Sequence, residues 1–237
     1  MRLVWHSQIA SYMSVGETGK TVYTNSMKLL VIGASRGTGF EVVKAALAVG
    51  HIVTALSRSG SDALLADPNL TWVQADATDR KQLIKAMHDQ HAVIVALGMS
   101  MAQIKQQPTL FSDSATATIE AMRQTQLRKV VVLSAYGTNE SYDATNVLIR
   151  MMIASILKVP FKDHALQENY FRDEESIDWV IVRPSGLRPG RLSRTYKVRT
   201  ASTKVPLMIS RASVADFMVH ACETNEYDNQ AVSIGGS

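Results

Sequence analysis

A single cysteine, Cys222, stands in 237 residues, which excludes an intrachain disulfide and any cysteine-built metal cluster. No spacing of His, Cys and carboxylate side chains suggests a metal site either. Aromatic residues amount to 6%, and no basic run or basic stripe interleaved with aromatics occurs, so nucleic acid is not an expected partner. The net charge of +4 is small and suits the binding of an anionic small molecule. No apolar run reaches the length of a bilayer span. The most apolar helical stretch, 148–159, is interrupted by Arg150 and Lys158, and no membrane partner is expected. Residues 1–26 lack the continuous apolar segment of a secretory signal and read as an N-terminal extension. Their scarcity of acids and several hydroxyls leave an organelle-targeting reading open. With 46% hydrophobic and 19% charged residues and no linker-like segment, 27–237 reads as one domain, expected in the cytoplasm as a monomer or weak oligomer.

What is present is concentrated in 28–58, which reads as strand, glycine-rich turn, helix, strand, then arginine. Leu29, Leu30, Val31 and Ile32 form the short branched apolar run of a buried parallel strand. Gly33, Gly37 and Gly39 follow at once, and 40–49 carries apolar residues at helical spacing. Such a turn lets the backbone approach a pyrophosphate, while the helix behind it presents unpaired N–H groups and the positive end of its dipole. The second strand, 52–56, runs into Ser57, Arg58 and Ser59, with no carboxylate before Asp62. A carboxylate there would grip a ribose 2′-hydroxyl; a guanidinium instead bonds a 2′-phosphate in a two-pronged way. Arg58, with Arg36 in the glycine loop as a second cation, therefore points to NADP(H) rather than NAD(H). The competing role for Arg58 is a solvated loop arginine.

Further strand–helix alternation follows. Strands are expected at 72–74, 92–97, 129–133, 178–182 and 231–234, and helices at 80–88, 113–125 and 210–222, the last capped by Ser210. This pattern predicts an α/β fold: a single-domain Rossmann fold, a doubly wound parallel β-sheet flanked by helices. The basic, hydroxyl-rich segment 188–204 is expected to form a loop or short hairpin over the site. Asp76, beyond the third strand, is placed for an adenine amino group or equally for capping the next helix, a role for which Asp79 competes. Gly98, closing the fourth strand, admits a ribose or nicotinamide to the backbone.

The segments VIGASRGTG, SRS, QADATD, AVIVALG, VVVLSAYG, FKDHALQENYFRDEESIDWVIVRPSGL and ISRASVADFMVHACETNEYD lie between residues 27 and 227. Through them the chain resembles the atypical short-chain dehydrogenase/reductases with one NAD(P)H-binding Rossmann domain. Within these it is similar to the flavin reductase/biliverdin-IXβ reductase branch. The resemblance implies that Gly33, Ser35, Arg36, Gly37, Thr38 and Gly39 bind pyrophosphate and that Arg58 holds the 2′-phosphate. It implies adenine contact at Asp76 and Ala77, ribose and nicotinamide contact at Leu97 and Gly98, and a carboxamide side lined by Pro184 and Ser185. Ser134 matches a serine beside the nicotinamide, and His164 a histidine near the substrate pocket. One departure is plain: that branch has glycine at the fourth place of its loop, where this chain has Arg36, with glycine at the fifth.

A further absence bears on chemistry. Tyr136, Tyr142 and Tyr170 are followed four places on by Glu140, Asn146 and Glu174, so no Tyr-x-x-x-Lys pair is present to supply a phenol acid. The expectation is an NADPH-dependent reductase whose acceptor is a planar conjugated ring (flavin, quinone or tetrapyrrole-like), which needs proximity and orientation more than acid–base help. Ser134 and His164 are the candidate catalytic residues, against the plainer roles of strand-end cap and surface helix-start histidine. Met99, Met101, Met151 and Met152 either line an adaptable pocket or belong to the core. The alternative function is a non-catalytic NADP(H)-binding regulator that senses redox state.

Overall fold

In the computed structural model, strands β1 (Lys28–Ile32), β4 (Ala92–Val95), β5 (Lys129–Leu133) and β6 (Asp178–Pro184) are buried along almost their whole length. Burial on both faces explains why each reads as an unbroken apolar run rather than an alternation. The structure describes residues 14–15, 21–22, 26–60, 65–200 and 203–236. The expected extension 1–26 therefore lies largely outside the described residues, apart from a two-residue antiparallel ladder, Ser14–Val15 with Thr21–Val22.

The remaining sheet strands are β2 (Ile52–Ser57), β3 (Leu70–Gln74), β8 (Lys197–Thr200) and β10 (Gln230–Gly235). Their order across the sheet is β8-β10-β6-β5-β4-β1-β2-β3, parallel except for β8, which runs antiparallel to β10. Segment 188–204 thus supplies an edge strand, not a hairpin over the site. Only Val198 of β8 is even half-buried, so the strand carries no apolar run to betray it. A separate parallel pair, β7 (Gly186–Arg188) with β9 (Met208–Ser210), anchors the start of the last helix.

Helices α1 (Gly37–Ala48) and α7 (Arg211–Glu223) pack together on one face of the sheet. Val42, Val43, Val214 and Met218 from them meet the inward residues Leu29, Val31 and Ile94. On the other face lie α2 (Arg80–Met87), α4 (Leu110–Thr125) and α6 (Lys158–Arg172), which bury Leu83, Met122 and Phe171 against Leu30, Ile32 and Val93. Shorter helices α3 (Met101–Gln106) and α5 (Val147–Ala154) sit in the connections that follow β4 and β5. Strand order reverses between β1 and β4, and in sheets of this type the crevice beyond the carboxyl ends at that switch is where ligands bind.

Candidate functional site

A cleft of about 920 Å³ opens at that switch point, lined by the residues following β1 to β5 and walled by helices α3, α4 and α6. Its floor is backbone. Gly33 adopts φ +87, and a Cβ there would stand 2.8 Å from the Ala96 carbonyl oxygen, so only glycine lets β1 and β4 close over this turn. The N–H groups of Gly33 and Ala34 both reach the Leu56 carbonyl, at 2.9 and 3.1 Å, tying the turn to β2. Arg36 then takes the N-cap position of α1 in an extended conformation, φ −159, without capping the helix by its side chain. The first N–H groups of α1 are thereby left facing the cleft, an anion site by geometry and dipole.

Gly33, Ser35, Arg36, Gly37 and Thr38 line this cleft, and so do Arg58, Asp76, Ala77, Leu97 and Gly98. Gly39 does not. A Cβ on Gly39 would lie 2.1 Å from the Gly33 carbonyl oxygen, which makes it the residue that lets α1 pack against β1. Pro184 and Ser185 are not among the lining residues either. The Pro184 carbonyl accepts from the Tyr136 N–H and the Ser185 N–H donates to Ile234, placing both in the sheet's own bonding behind the cleft wall.

Side chains distinguish the ends. Arg58 is exposed at the end of β2, and among the described residues no carboxylate pairs with it. Beside it the Ser57 hydroxyl is buried, lines the cleft and has no hydrogen-bond partner among the described residues. Arg36 donates to Gln103 Oε1 at 2.6 Å, bridging the glycine loop to α3. Asp76 accepts from the backbone N–H and hydroxyl of Thr78, holding the turn beyond β3. The competition for the helix cap resolves to Asp79, which accepts from the N–H groups of Lys81 and Gln82. Arg211, unremarked in the sequence, lines the cleft from the first turn of α7 with its Nε about 3.9 Å from the position a Gly37 Cβ would occupy.

The far end is built from helices distant in sequence. Asp163 of α6, buried, accepts from the N–H groups of Phe111 (2.7 Å) and Ser112 (3.1 Å), satisfying the unpaired first turn of α4. That tie stacks Phe111 on His164, ring centroids 3.8 Å apart and 16° from parallel. His164 is therefore a buried cleft residue in mid-helix and not a surface histidine at a helix start. Its Nδ1 lies 3.0 Å from Gln167 Oε1. Burial pulls its pKa below the ordinary histidine value, only partly countered by Gln167 and the carboxylates of Glu168 and Asp163, which leaves a neutral imidazole near pH 7.

Ser134 also lines the cleft, but its hydroxyl donates to Glu168 Oε1 at 2.6 Å. Glu168 and Arg183 are both fully buried and form a paired ionic floor, with Arg183 Nε 2.8 Å from Glu168 Oε1. Glu140 joins through Arg183 and Arg172; burial would raise its carboxyl, but the two guanidinium groups bring it down to about 2. This network escaped sequence reading because Arg183 sits inside an otherwise apolar strand, a signal visible only as one charge among WVIV and proline. Of the four methionines, Met99 lines the cleft, whereas Met151 and Met152 face solvent from α5 and are neither pocket nor core. Tyr136 is occupied structurally, its hydroxyl donating to the Ala144 carbonyl at 2.8 Å. Burial pushes the Cys222 thiol up to about 12, so the one cysteine is chemically quiet. Among the described residues no cluster of His, Cys and carboxylates could hold a metal.

The donor set fits a dinucleotide: a glycine cradle that a Cβ would obstruct and, among the described residues, a buried Ser57 hydroxyl without a partner and an Arg58 without an ion pair. Together with the strand order, these features define a Rossmann-type dinucleotide-binding protein. The chain belongs to the NAD(P)H-binding family, whose model matches residues 33–225. It is 26% identical over 228 residues to an uncharacterized chloroplastic protein of Arabidopsis thaliana, covering 94% of this chain and 80% of that one. Among solved structures it is similar to the oxidoreductase ylbE of Lactococcus lactis, with TM-score 0.75, 14% identity and coverage of 89% and 91%. A Veillonella parvula short-chain dehydrogenase/reductase in complex with NADP gives TM-score 0.74 at 14% identity, over 90% and 95% of the two chains. A Streptococcus pneumoniae protein bearing the provisional name NADH-flavin reductase gives 0.72 at 22%, over 88% and 99%. At these identities the three structures bear on the fold alone. Among the described residues no helix is long and apolar enough to cross a membrane. The expected cytoplasmic location gains no support, since the plant relative is chloroplastic by name.

Proposed function

We propose that the protein is an NADPH-dependent reductase that transfers hydride to a planar conjugated acceptor of the flavin, quinone or tetrapyrrole kind. The observation that carries this reading is one continuous cleft, polar and cationic at Arg58 and the glycine loop, apolar at Leu110, Phe111, Leu157, Pro160 and Phe161. The glycine loop and α1 would hold the pyrophosphate, Arg58 and Ser57 the 2′-phosphate, and the wall at Leu97 and Gly98 the nicotinamide half. When bound, NADPH supplies the hydride. The chain's own part is to stack a flat acceptor against the Phe111–His164 face and to exclude water there. His164, neutral, would orient the acceptor through Nε2, the ring nitrogen not engaged with Gln167, while Ser134 is a positioning residue held by Glu168.

A second reading, an NADP(H)-binding redox regulator without turnover, is favoured by the prior engagement of Ser134 with Glu168 and of His164 with Gln167. Titration with NADPH and NADH, followed by NADPH oxidation with FMN, riboflavin and quinones, separates the two. Tight NADPH binding with no turnover across the acceptors leaves the regulator. Gly37→Val forces a branched residue into φ +61 at the mouth of the loop and is expected to abolish binding while the chain stays folded.

A further inference from the structure

Six large apolar side chains on one short segment, Val147, Leu148, Met151, Met152, Ile156 and Val159, are each between 46% and 72% exposed. Four of them, at 147, 148, 151 and 152, share one face of α5 by their spacing, while Ile153 holds the opposite face to the protein. Soluble monomers seldom leave so much contiguous apolar surface without a partner. Charge within this stretch of chain is of one sign. Between Asp143 and Asp163 the chain carries Arg150, Lys158 and Lys162 and no carboxylate. Asp163 itself is buried against α4.

Among the described residues none of the three cations forms an ion pair; Arg150 donates to the Asp143 carbonyl at 2.6 Å and lies over the Tyr142 ring at 5.3 Å. A second hollow of about 520 Å³ opens at the same place, lined by Asn139, Tyr142, Lys158 and Lys162. Phe161 lines both this hollow and the main cleft, and Leu157 and Pro160 of the same elbow also line the cleft. The exposed apolar surface thus begins where the acceptor end of the cleft opens.

We propose that the α5–α6 elbow docks onto an anionic lipid bilayer. Its aliphatic and methionine side chains enter the headgroup boundary, and Arg150, Lys158 and Lys162 face lipid phosphates. Pairing of this face with a second copy by a twofold axis would set the same cations against one another, which charge complementarity disfavours. The expectation of no membrane partner rested on the absence of a spanning segment, and surface docking needs none. Resting on the reductase reading, the docked orientation makes a membrane-dissolved quinone the acceptor class, delivered to the cleft from its lipid side.

The test uses the full chain and vesicles of phosphatidylcholine, alone or mixed with phosphatidylglycerol, in co-sedimentation. Retention by the mixed vesicles, weaker on phosphatidylcholine alone, is the expected result. The double variant Leu148→Glu/Met151→Glu alters only exposed positions and is expected to keep its melting temperature and NADPH affinity. Its vesicle affinity should fall at least about tenfold, since each lost side chain is worth roughly that much in transfer. Lys158→Gln/Lys162→Gln should remove the preference for phosphatidylglycerol. Absence of vesicle binding by the wild type, or equal retention of the double variant, overturns the proposal. So does a dimer in sedimentation velocity that the double variant dissociates, which would assign the face to self-pairing. For the acceptor, the double variant should slow reduction of a long-tailed quinone in vesicles and leave a water-soluble short-chain quinone unaffected. If neither quinone is reduced while vesicles still bind, the acceptor assignment falls and the docking stands.

Discussion

The two ends of the cleft are held by different physics. At the glycine-loop end the geometry comes from backbone: strand termini, the turn at Gly33, and N–H groups bonded to Leu56. At the His164 end it comes from side chains carried by α4, α6 and β6, locked by Asp163 across the start of α4 and by the Glu168–Arg183 pair. A backbone-built end keeps its shape through most side-chain changes and loses it only where a Cβ has no room, as at Gly33, or where the backbone is left-handed, as at Gly37. A side-chain-built end depends on buried charges, each of which is costly once its partner is lost.

The largest effect should follow from breaking that pair. Arg183→Met leaves Glu168 buried with only the long contact to Arg172, at 3.9 Å, and the hydrogen bonds from Ser134 and Asn139, and should lower stability by about 3–5 kcal/mol in urea unfolding. A loss near zero would show that the floor does not hold the acceptor end. At the opposite end, Arg58→Ala should weaken NADPH binding about 10- to 100-fold, the worth of one or two charged hydrogen bonds, with NADH binding and stability unchanged. Equal losses for both nucleotides would erase the 2′-phosphate assignment. Asp163→Ala should lower stability by about 1–2 kcal/mol through the unpaired first turn of α4. It should slow turnover more than it weakens NADPH binding, and the reverse order would mean the two ends are not separately built.

The smallest effect is in pH dependence. The folded pKa of His164 lies below its unfolded value, so below about pH 6.5 the unfolded chain takes up a proton that the folded chain refuses. Its stability contribution is present above that pH and is lost as pH falls, by at most about 1.4 kcal/mol per unit. His164→Gln should flatten that part of the stability profile between pH 6.5 and 5. An unchanged slope would place the titration elsewhere.

The same division explains what could be read from the chain. Strands β1, β4 and β5 and the glycine loop were legible because a strand buried on both faces writes itself as a continuous apolar run and a phosphate turn as glycines at fixed spacing. β8 was not, since an edge strand of Lys, Val, Arg and Thr satisfies no pattern until β10 lies beside it. His164 and Asp163 lie within a recognisable segment, but the burial of one and the helix bonded by the other depend on α4, some fifty residues away. For the Glu168–Arg183 floor the chain offers only one charge in an apolar run, and for Arg211 no pattern that marks it as a cleft residue, because pairing across elements has no periodicity.

The spacing of the glycine loop has a consequence for how selectivity can be altered. Arg36 stands at the fourth place with φ −159, a conformation open to any amino acid, whereas the left-handed turn falls one residue later at Gly37. The part of the loop that shapes the turn is therefore separate from the part that presents a side chain. Position 36 is a natural site for library mutagenesis: changes there vary charge and reach toward the nucleotide while the turn's architecture stays intact.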